Sequence, residues 1–459
     1  MLRAWQEGCV KAAVQKYQSG HRHFLCQATP GAGKTVMAAE LAKVLLDMDK
    51  VDLVLCFSPS ISVAENMRST FSWKLDCQFS GSLGEMGGSY TYQSLKYQSD
   101  GFWKTIRKYR VLAVFDEIHH CAADEDGRSN SWGEQIVSKL QHEAEYTLAL
   151  TGTPWRSDKA SIALASYTNP EGQIICDYQY SLREAIHEKV CRVPKLVLVD
   201  NDNLTVTEGA QRKSFSSIVE MLKQSRSSYQ DIIQNEQALG YLISLGCQRL
   251  ATIRQVNENA GGLIVAASVK HAQKIQSMLL NRFKQTATIV TYQHDNPLQT
   301  IDHFRVSDCQ WIVSVGMISE GTDIPRLQVC CHLSAVKTEL YFRQVLGRIL
   351  RTNGEQEQEA WLYTFAEESL VGFAERIEQD IPETCQFINL AEAENNNTEV
   401  EFAVSSPGIS SGGMSTASSR TTFSWELFGD GEELVDSHIS QQGYLLMGTF
   451  KQRVIAAFS

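Results

Sequence analysis

The 459-residue sequence contains no run of eighteen or more apolar residues, so no transmembrane helix is expected. Its start, MLRAWQEGCVKAA, lacks the apolar stretch of a secretory signal, and the expected compartment is the cytoplasm, with no membrane partner. The twelve cysteines include no C-x-x-C pair, which removes the usual zinc-finger spacing. Several cysteines lie inside apolar runs such as LVLCFSP and LQVCCHL, and buried, reduced thiols are expected there.

A global excess of base is also missing, since the net charge is -11. Taken alone, that opposes a polyanionic partner. The acid is unevenly spread, however. From Thr352 to Ser459 there are 18 Asp+Glu against 4 Lys+Arg, which leaves 35 acids and 38 bases in the rest. The main body is therefore slightly basic and compatible with nucleic acid. Length, 43% hydrophobic residues and 21% charged residues fit two or three globular domains with real cores.

Short apolar runs alternate with helical patterns over the first 190 residues. The runs are HFLCQ (23–27), VDLVLCF (51–57), VLAVF (111–115) and YTLAL (146–150). In TVMAAELAKVLLDM, Ala38, Leu41, Ala42 and Leu45 share one helix face. This alternation predicts an α/β fold with a parallel sheet covered on both faces. It resumes with KLVLV (195–199), GLIVAAS (262–268), TATIVT (286–291), WIVSV (311–315), LQVCCHL (327–333) and AWLYTF (360–365), with a long helical stretch from Ser214 to Asn257. Two α/β domains are expected, 1–190 and 191–390, joined near 181–194. Residues 391–459 turn to Ser, Gly, Asn and acid, the composition of a linker. FSWELFGDGEELV (423–435) is a hairpin candidate there, and GYLLMGTFKQRVIAAF suggests a small terminal element.

Chemistry concentrates first in FLCQATPGAGKTVMAAE. It fits the phosphate-loop template G-x-x-x-x-G-K-[ST] with Ala28 in place of the first glycine. Gly31 and Gly33 let backbone amides turn toward phosphate oxygens, and the following helix adds its positive end. Lys34 is expected to reach the terminal phosphates and Thr35 to hold Mg²⁺. In VLAVFDEIHHCAADE, Asp116 and Glu117 fall at the C-terminal end of a strand, the rim where ligands bind in open α/β sheets. Asp116 suits Mg²⁺, and Glu117 suits the polarisation of an attacking water. A zinc site at His119, His120 and Cys121 is the competing reading. Three adjacent residues rarely converge on one tetrahedral ion, and no C-x-x-C or H-x-x-x-H lies nearby. LALTGTPWRSD (148–158) is a strand and turn. WIVSVGMISEGTDIPRLQ (311–328) is a strand followed by a polar loop. In YFRQVLGRILR, Gln344, Arg348 and Arg351 recur at spacings of four and three, expected on one helix face. Opposite a phosphate loop, the arginines become candidates to stabilise charge on a γ-phosphate.

This ordered set resembles the superfamily 2 helicases and translocases of the DExH type, over roughly residues 2–365. ATPGAGKT is similar to motif I, DEIH to II, TGTP to III, SEGTDIP to V and QVLGRILR to VI. LRAWQEGCV resembles the glutamine element, FSPSISVAENM and TYQSL resemble Ia and Ib, and GLIVAASVKHAQKI resembles IV. The resemblance implies two tandem RecA-like domains with ATP and Mg²⁺ in the cleft between them. Gln6, Thr29, Pro30, Gly31, Ala32, Gly33, Lys34, Thr35, Gly321 and Asp323 would hold the nucleotide. Glu117, Lys34, Arg348, Arg351, Gln344 and His119 would act in hydrolysis, with His119 coupling the nucleotide site to motif III or the second domain. Pro59, Ser60, Thr91, Tyr92, Gln93, Ser268 and Thr291 would meet nucleic acid, mainly at its backbone. The implied activity is nucleic-acid-dependent ATP hydrolysis coupled to movement. DNA is favoured over RNA because the DEIHH box and TGTPWRSD look more like those of DNA-directed members. The alternatives are an RNA helicase, a duplex translocase, or an ATP-dependent switch that docks a protein partner through the acidic C-terminal region. Motif III departs from the commoner Ser/Thr-Ala-Thr, and the start close to the glutamine element leads us to expect no accessory domain before it.

Overall fold

The computed structural model describes residues 2–82, 84–122, 133, 136–154, 160–168, 172–208, 211–293, 296–318, 322–352, 359–379, 444–447 and 450–457. The first sheet is built from β1 (His23–Ala28), β2 (Leu53–Ser58), β3 (Gly87–Thr91), β4 (Val111–Phe115), β5 (Tyr146–Thr151) and, after a small antiparallel pair β6 (Ser166–Tyr167) and β7 (Ile174–Ile175), β8 (Tyr178–Tyr180). Its order is β3-β2-β4-β5-β1-β8, every pairing parallel. Side chains alternate across a strand, and both faces are covered. Along β4, Leu112 and Val114 pack with the helices Ala4–Gln18, Lys34–Asp47 and Ile61–Leu75, whereas Val111, Ala113 and Phe115 pack on the other face with Trp103, Ile106 and Leu140. This two-sided burial makes VLAVF apolar throughout.

The second sheet takes β9 (Val193–Asn201), then, after a hairpin of β10 (Leu204–Glu208) and β11 (Gln211–Phe215), β12 (Gly261–Ala266), β13 (Ala287–Thr291), β14 (Trp311–Val315), β15 (Leu327–Leu333) and β16 (Glu359–Phe365). The chain returns as β17 (Tyr444–Met447), which pairs with β10, and β18 (Phe450–Ala456). The sheet order is β13-β14-β12-β15-β16-β9-β18, parallel except for the last pair. The fold is thus two parallel-sheet α/β halves, as expected. Gly262 lies in register with Trp311, and a Cβ on it would fall 2.3 Å from the buried indole. The glycine is what lets the largest core side chain lie flat across the neighbouring strand.

Two sequence expectations change. The stretch Ser214–Asn257 is not one helix but β11 followed by helices Ile218–Gln224, Tyr229–Gln234 and Glu236–Arg254. Ser217, Ser228 and Asn235 stand at the breaks, and each side chain accepts a backbone N–H of the helix it opens. The terminal element is not separate, because β18 completes the edge of the second sheet, with Val454 opposite Val197. The hairpin candidate 423–435 lies outside the described residues.

His332 in β15 is fully buried beside the rings of Tyr341 and Phe342, and desolvation pushes its pKa down to about 4. Its folded pKa therefore lies below the unfolded value. Below pH 6.5 the unfolded chain takes up a proton that the folded chain refuses, and stability falls as pH drops toward 4. Burial also lowers His271 to about 4 and works in the same direction. We predict that acidification from pH 7 to 5 costs about 2 kcal/mol through His332. Urea titrations of His332→Phe should give a shallower pH profile; an unchanged profile would remove His332 as its source.

Candidate nucleotide site between the two sheets

Beyond Ala28, at the end of β1, the chain turns through Thr29, Pro30, Gly31, Ala32 and Gly33 into the helix Lys34–Asp47. Gly31 and Gly33 have φ of 84° and 95°, conformations that strain any residue with a Cβ. The helix starts without a side-chain cap, so its first amides face the loop, where an anion fits. The Thr29 amide donates to the Tyr180 carbonyl at 3.0 Å and the Ala32 amide to the Thr29 carbonyl at 3.2 Å. Lys34 is buried. Its Nζ donates to the Ala28 carbonyl at 3.3 Å and lies 3.6 Å from Glu117 Oε1. Half-buried Thr35 follows in the first turn.

Gln6 reaches the same loop from the helix Ala4–Gln18, which Trp5 anchors by stacking on Tyr180 at 4.8 Å. Its Oε1 accepts the Arg3 amide at 2.8 Å, and its Nε2 donates to the Gly33 carbonyl at 2.9 Å.

At the end of β4 the Asp116 amide donates to the Phe57 carbonyl at 2.9 Å, and Asp116 Oδ1 accepts the Glu117 amide at 3.1 Å. Glu117 adopts φ 51° and ψ 51°, a left-handed conformation that costs about 1–3 kcal/mol without glycine. The carboxylate is thereby placed with Oε1 toward Lys34, while Oε2 accepts the Gly152 amide at 3.4 Å and lies 3.5 Å from His119 Nδ1. His119 Nδ1 is 3.0 Å from Thr151 Oγ1, which itself donates to the Thr153 carbonyl at 2.9 Å. With the hydroxyl proton used there, Nδ1–H of His119 is the donor. His119 therefore links the acidic pair to the loop beyond β5. Among the described residues, no group of three or more His, Cys, Asp or Glu is arranged to hold a metal.

The second half meets this loop through the helix Glu339–Ile349. Gln344 and Arg348 lie within it, but Arg351 falls beyond its end, so the three do not share one helix face. Arg351 instead forms an isolated bridge with Cys191, pairs with Asp323, and comes over the phosphate loop: a Cβ on Gly31 would lie 3.1 Å from its Cγ. Arg348 Nη1 donates to the Thr322 carbonyl at 2.9 Å. Gly347 abuts Pro30, 2.6 Å separating its notional Cβ from the proline Cβ. Gly321 lies outside the described residues. Two half-buried glycines of positive φ, an uncapped helix start and a buried lysine fit a polyphosphate. The Thr35 hydroxyl and Asp116 carboxylate are hard oxygen donors that fit magnesium.

The residues assigned to nucleic acid divide. Gln93 is exposed, and Ser60, Thr91 and Ser268 are half-buried at the ends of strands. Ser60 and Ser268 spend their hydroxyls as helix caps. Pro59, Tyr92 and Thr291 are buried and do not lie on that surface. The Tyr92 hydroxyl donates to the Asp116 carbonyl at 2.7 Å, and Thr291 Oγ1 accepts the Gln293 amide at 3.2 Å. The sequence reading missed Arg192, which is 1% exposed at the start of the second half. Its guanidinium donates to the carbonyls of Leu327 at 2.6 Å, Ile349 at 3.1 Å and Pro325 at 2.9 Å, and its amide to Leu350 at 2.7 Å. A basic residue ahead of a strand is a common pattern and carries no such signal.

Residues 1–156 match the family model of the type III restriction enzyme res subunit, and residues 245–353 that of the helicase conserved C-terminal domain. The chain belongs to the superfamily 2 helicases and translocases of restriction type. This superfamily 2 chain is 29% identical over 365 residues to an uncharacterized protein of Mycobacterium leprae, covering 76% of this chain and 60% of the relative. It thus spans about 60% of that relative's length. It is 23% identical to the DNA 3'-5' translocase XPB2 of Sulfurisphaera tokodaii, over 77% of this chain and 80% of that protein. A fragment of a putative HsdR subunit of a type I restriction enzyme from Vibrio vulnificus shares the fold, with TM-score 0.55 and 16% identity over 83% of this chain and 67% of that one.

Arg192 brackets the arginine-bearing helix against the connector between the halves. Arg192→Leu leaves two buried carbonyls and a half-buried one without this donor, and we predict a loss of about 3 kcal/mol in urea unfolding. Unchanged stability would show that other donors take over.

Proposed function

We propose that this chain is an ATP-driven motor that moves along nucleic acid, DNA in preference to RNA. One observation carries the reading: the phosphate loop lies between Glu117 of the first half and Arg351 of the second. The preference for DNA is supported by the family models, which come from restriction and helicase proteins, and by the archaeal relative, whose name describes a DNA translocase.

In this proposal Lys34 binds the terminal phosphates, and Gln6 meets the base. A magnesium ion held by Thr35 and Asp116 would neutralise phosphate charge. Glu117 polarises the attacking water; its contact with Lys34 holds it at the phosphate rim until nucleotide takes over the ammonium. Arg351 and Arg348 stabilise charge on the γ-phosphate once released from Asp323 and Thr322, with Gln344 beside them. His119 passes the state of the acidic pair to the Thr151–Thr153 loop. Closure and reopening of the cleft then shift the grip of the two halves on the strand. Residues 1–190 and 191–390 are the two motor domains, with Phe450–Ala456 assigned to the second. The second reading is translocation on duplex without strand separation; the relative whose name describes a DNA translocase favours movement along DNA as the activity.

ATPase assays with single-stranded, duplex and forked DNA and with RNA test this directly. We predict stimulation by DNA above RNA, and a motor reading cannot survive hydrolysis that no strand accelerates. Glu117→Gln should lower kcat by about 10²–10³, and Lys34→Ala should abolish hydrolysis. Normal turnover in either variant would refute the assigned roles.

A further inference from the structure

The turn after β3 faces two ways. Along Tyr92–Tyr97, Tyr92 and Leu95 are buried, whereas Gln93, Lys96 and Tyr97 are exposed, Tyr97 at 86%. An aromatic ring that open adds little to any core. With exposed Lys96 next to it in the turn, it offers what a single strand needs, a face for a base and a charge for a phosphate. The turn leaves the C-terminal end of β3, next to the end of β2 where Ser60 caps its helix.

The buried side of the same turn holds the catalytic peptide. Tyr92 OH donates to the main-chain carbonyl of Asp116 at 2.7 Å, reaching past β2 to the end of β4. The Asp116 carbonyl belongs to the peptide that leads into Glu117, whose left-handed backbone sets its carboxylate. A small shift of the turn therefore displaces the group that aims Glu117.

We infer that Tyr92 is a positioning residue through which single-stranded nucleic acid on Gln93, Lys96 and Tyr97 acts on the Asp116–Glu117 peptide. This rests on the motor reading above. The sequence assigned Tyr92 to the nucleic acid itself; its buried hydroxyl gives it the transmitting role instead.

The test uses the full chain and a thymidine homo-oligonucleotide as the single strand. Strand Kd is measured by fluorescence anisotropy without nucleotide, and strand-stimulated kcat is measured at saturation. Tyr92→Phe removes one oxygen. We expect Kd within about twofold and stimulated kcat down about fivefold, the value of one hydrogen bond. The paired exposed substitutions Lys96→Ala and Tyr97→Ala should weaken Kd about tenfold, the scale of one stacked base. A merely structural Tyr92 would lower the melting temperature and leave the ratio of stimulated to unstimulated turnover intact, which overturns the inference. So would unaltered strand affinity in the Lys96→Ala, Tyr97→Ala variant, which does not touch the core. A wild-type chain that no strand stimulates sinks the motor reading and this inference together; a stimulated wild type with an equally stimulated Tyr92→Phe sinks this inference alone.

Discussion

The contact of Lys34 with Glu117 is the constraint on which the site depends. A buried ammonium is costly unless a counter-charge lies near, and Glu117 at 3.6 Å is that charge. The two residues come from loops far apart in sequence. They meet because β5 is the single strand between β1 and β4, and all three are parallel, so their C-terminal ends share one rim. The left-handed backbone at Glu117 completes the approach. Strand order, backbone strain and charge pairing thus describe one arrangement: a buried lysine held by a carboxylate at the shared rim, the pairing on which the proposed hydrolysis rests.

The seam between the two halves is built from small residues and main-chain acceptors, which suits a surface that opens and closes. Pro30 meets Gly347 without a side chain between them, and Cys191 Sγ lies 3.7 Å from the Pro30 carbonyl. Strong bonds sit behind the seam rather than across it. Arg192 ties the connector to the end of the arginine-bearing helix, and buried Glu339, paired with Arg343 in its own helix, ties that helix through Arg376 to the helix Glu368–Gln379. Arg348 and Arg351 thus sit on one tied unit, as the proposed closure of the cleft requires.

Much of this was legible before the structure, and the boundary has physical causes. Fully buried parallel strands are apolar on both faces, so VLAVF and LQVCCHL stood out. The phosphate loop combines glycine, lysine and threonine in an order that few other structures need. β3, by contrast, reads Gly-Gly-Ser-Tyr-Thr, because a Cβ on Gly87 would fall 1.9 Å from the Val54 carbonyl, and the glycines that permit the pairing erase the strand signal. β18 is a sheet edge whose residues Lys451–Val454 are all exposed, and its FKQRVIA therefore lacks the alternation that announces a strand. Arg192 and Tyr92 were illegible for another reason. Each acts through main-chain carbonyls, and a carbonyl leaves no mark in a sequence.

The two carboxylates of DEIH are held differently, and the difference matches their proposed work. The backbone of Asp116 is fixed on both sides, its amide by the Phe57 carbonyl and its own carbonyl by Tyr92. Metal ligation rewards such rigidity. Glu117 turns outward instead: its carboxylate lies 3.6 Å from Lys34 Nζ and 3.5 Å from His119 Nδ1, and it accepts the Gly152 amide at 3.4 Å. Lys34 opens the helix behind the phosphate loop, and Gly152 lies in the Thr151–Thr153 turn. The carboxylate proposed to address water is therefore in contact with both, and a shift of either loop reaches it directly. That double contact is what the proposed coupling of nucleotide to loop requires.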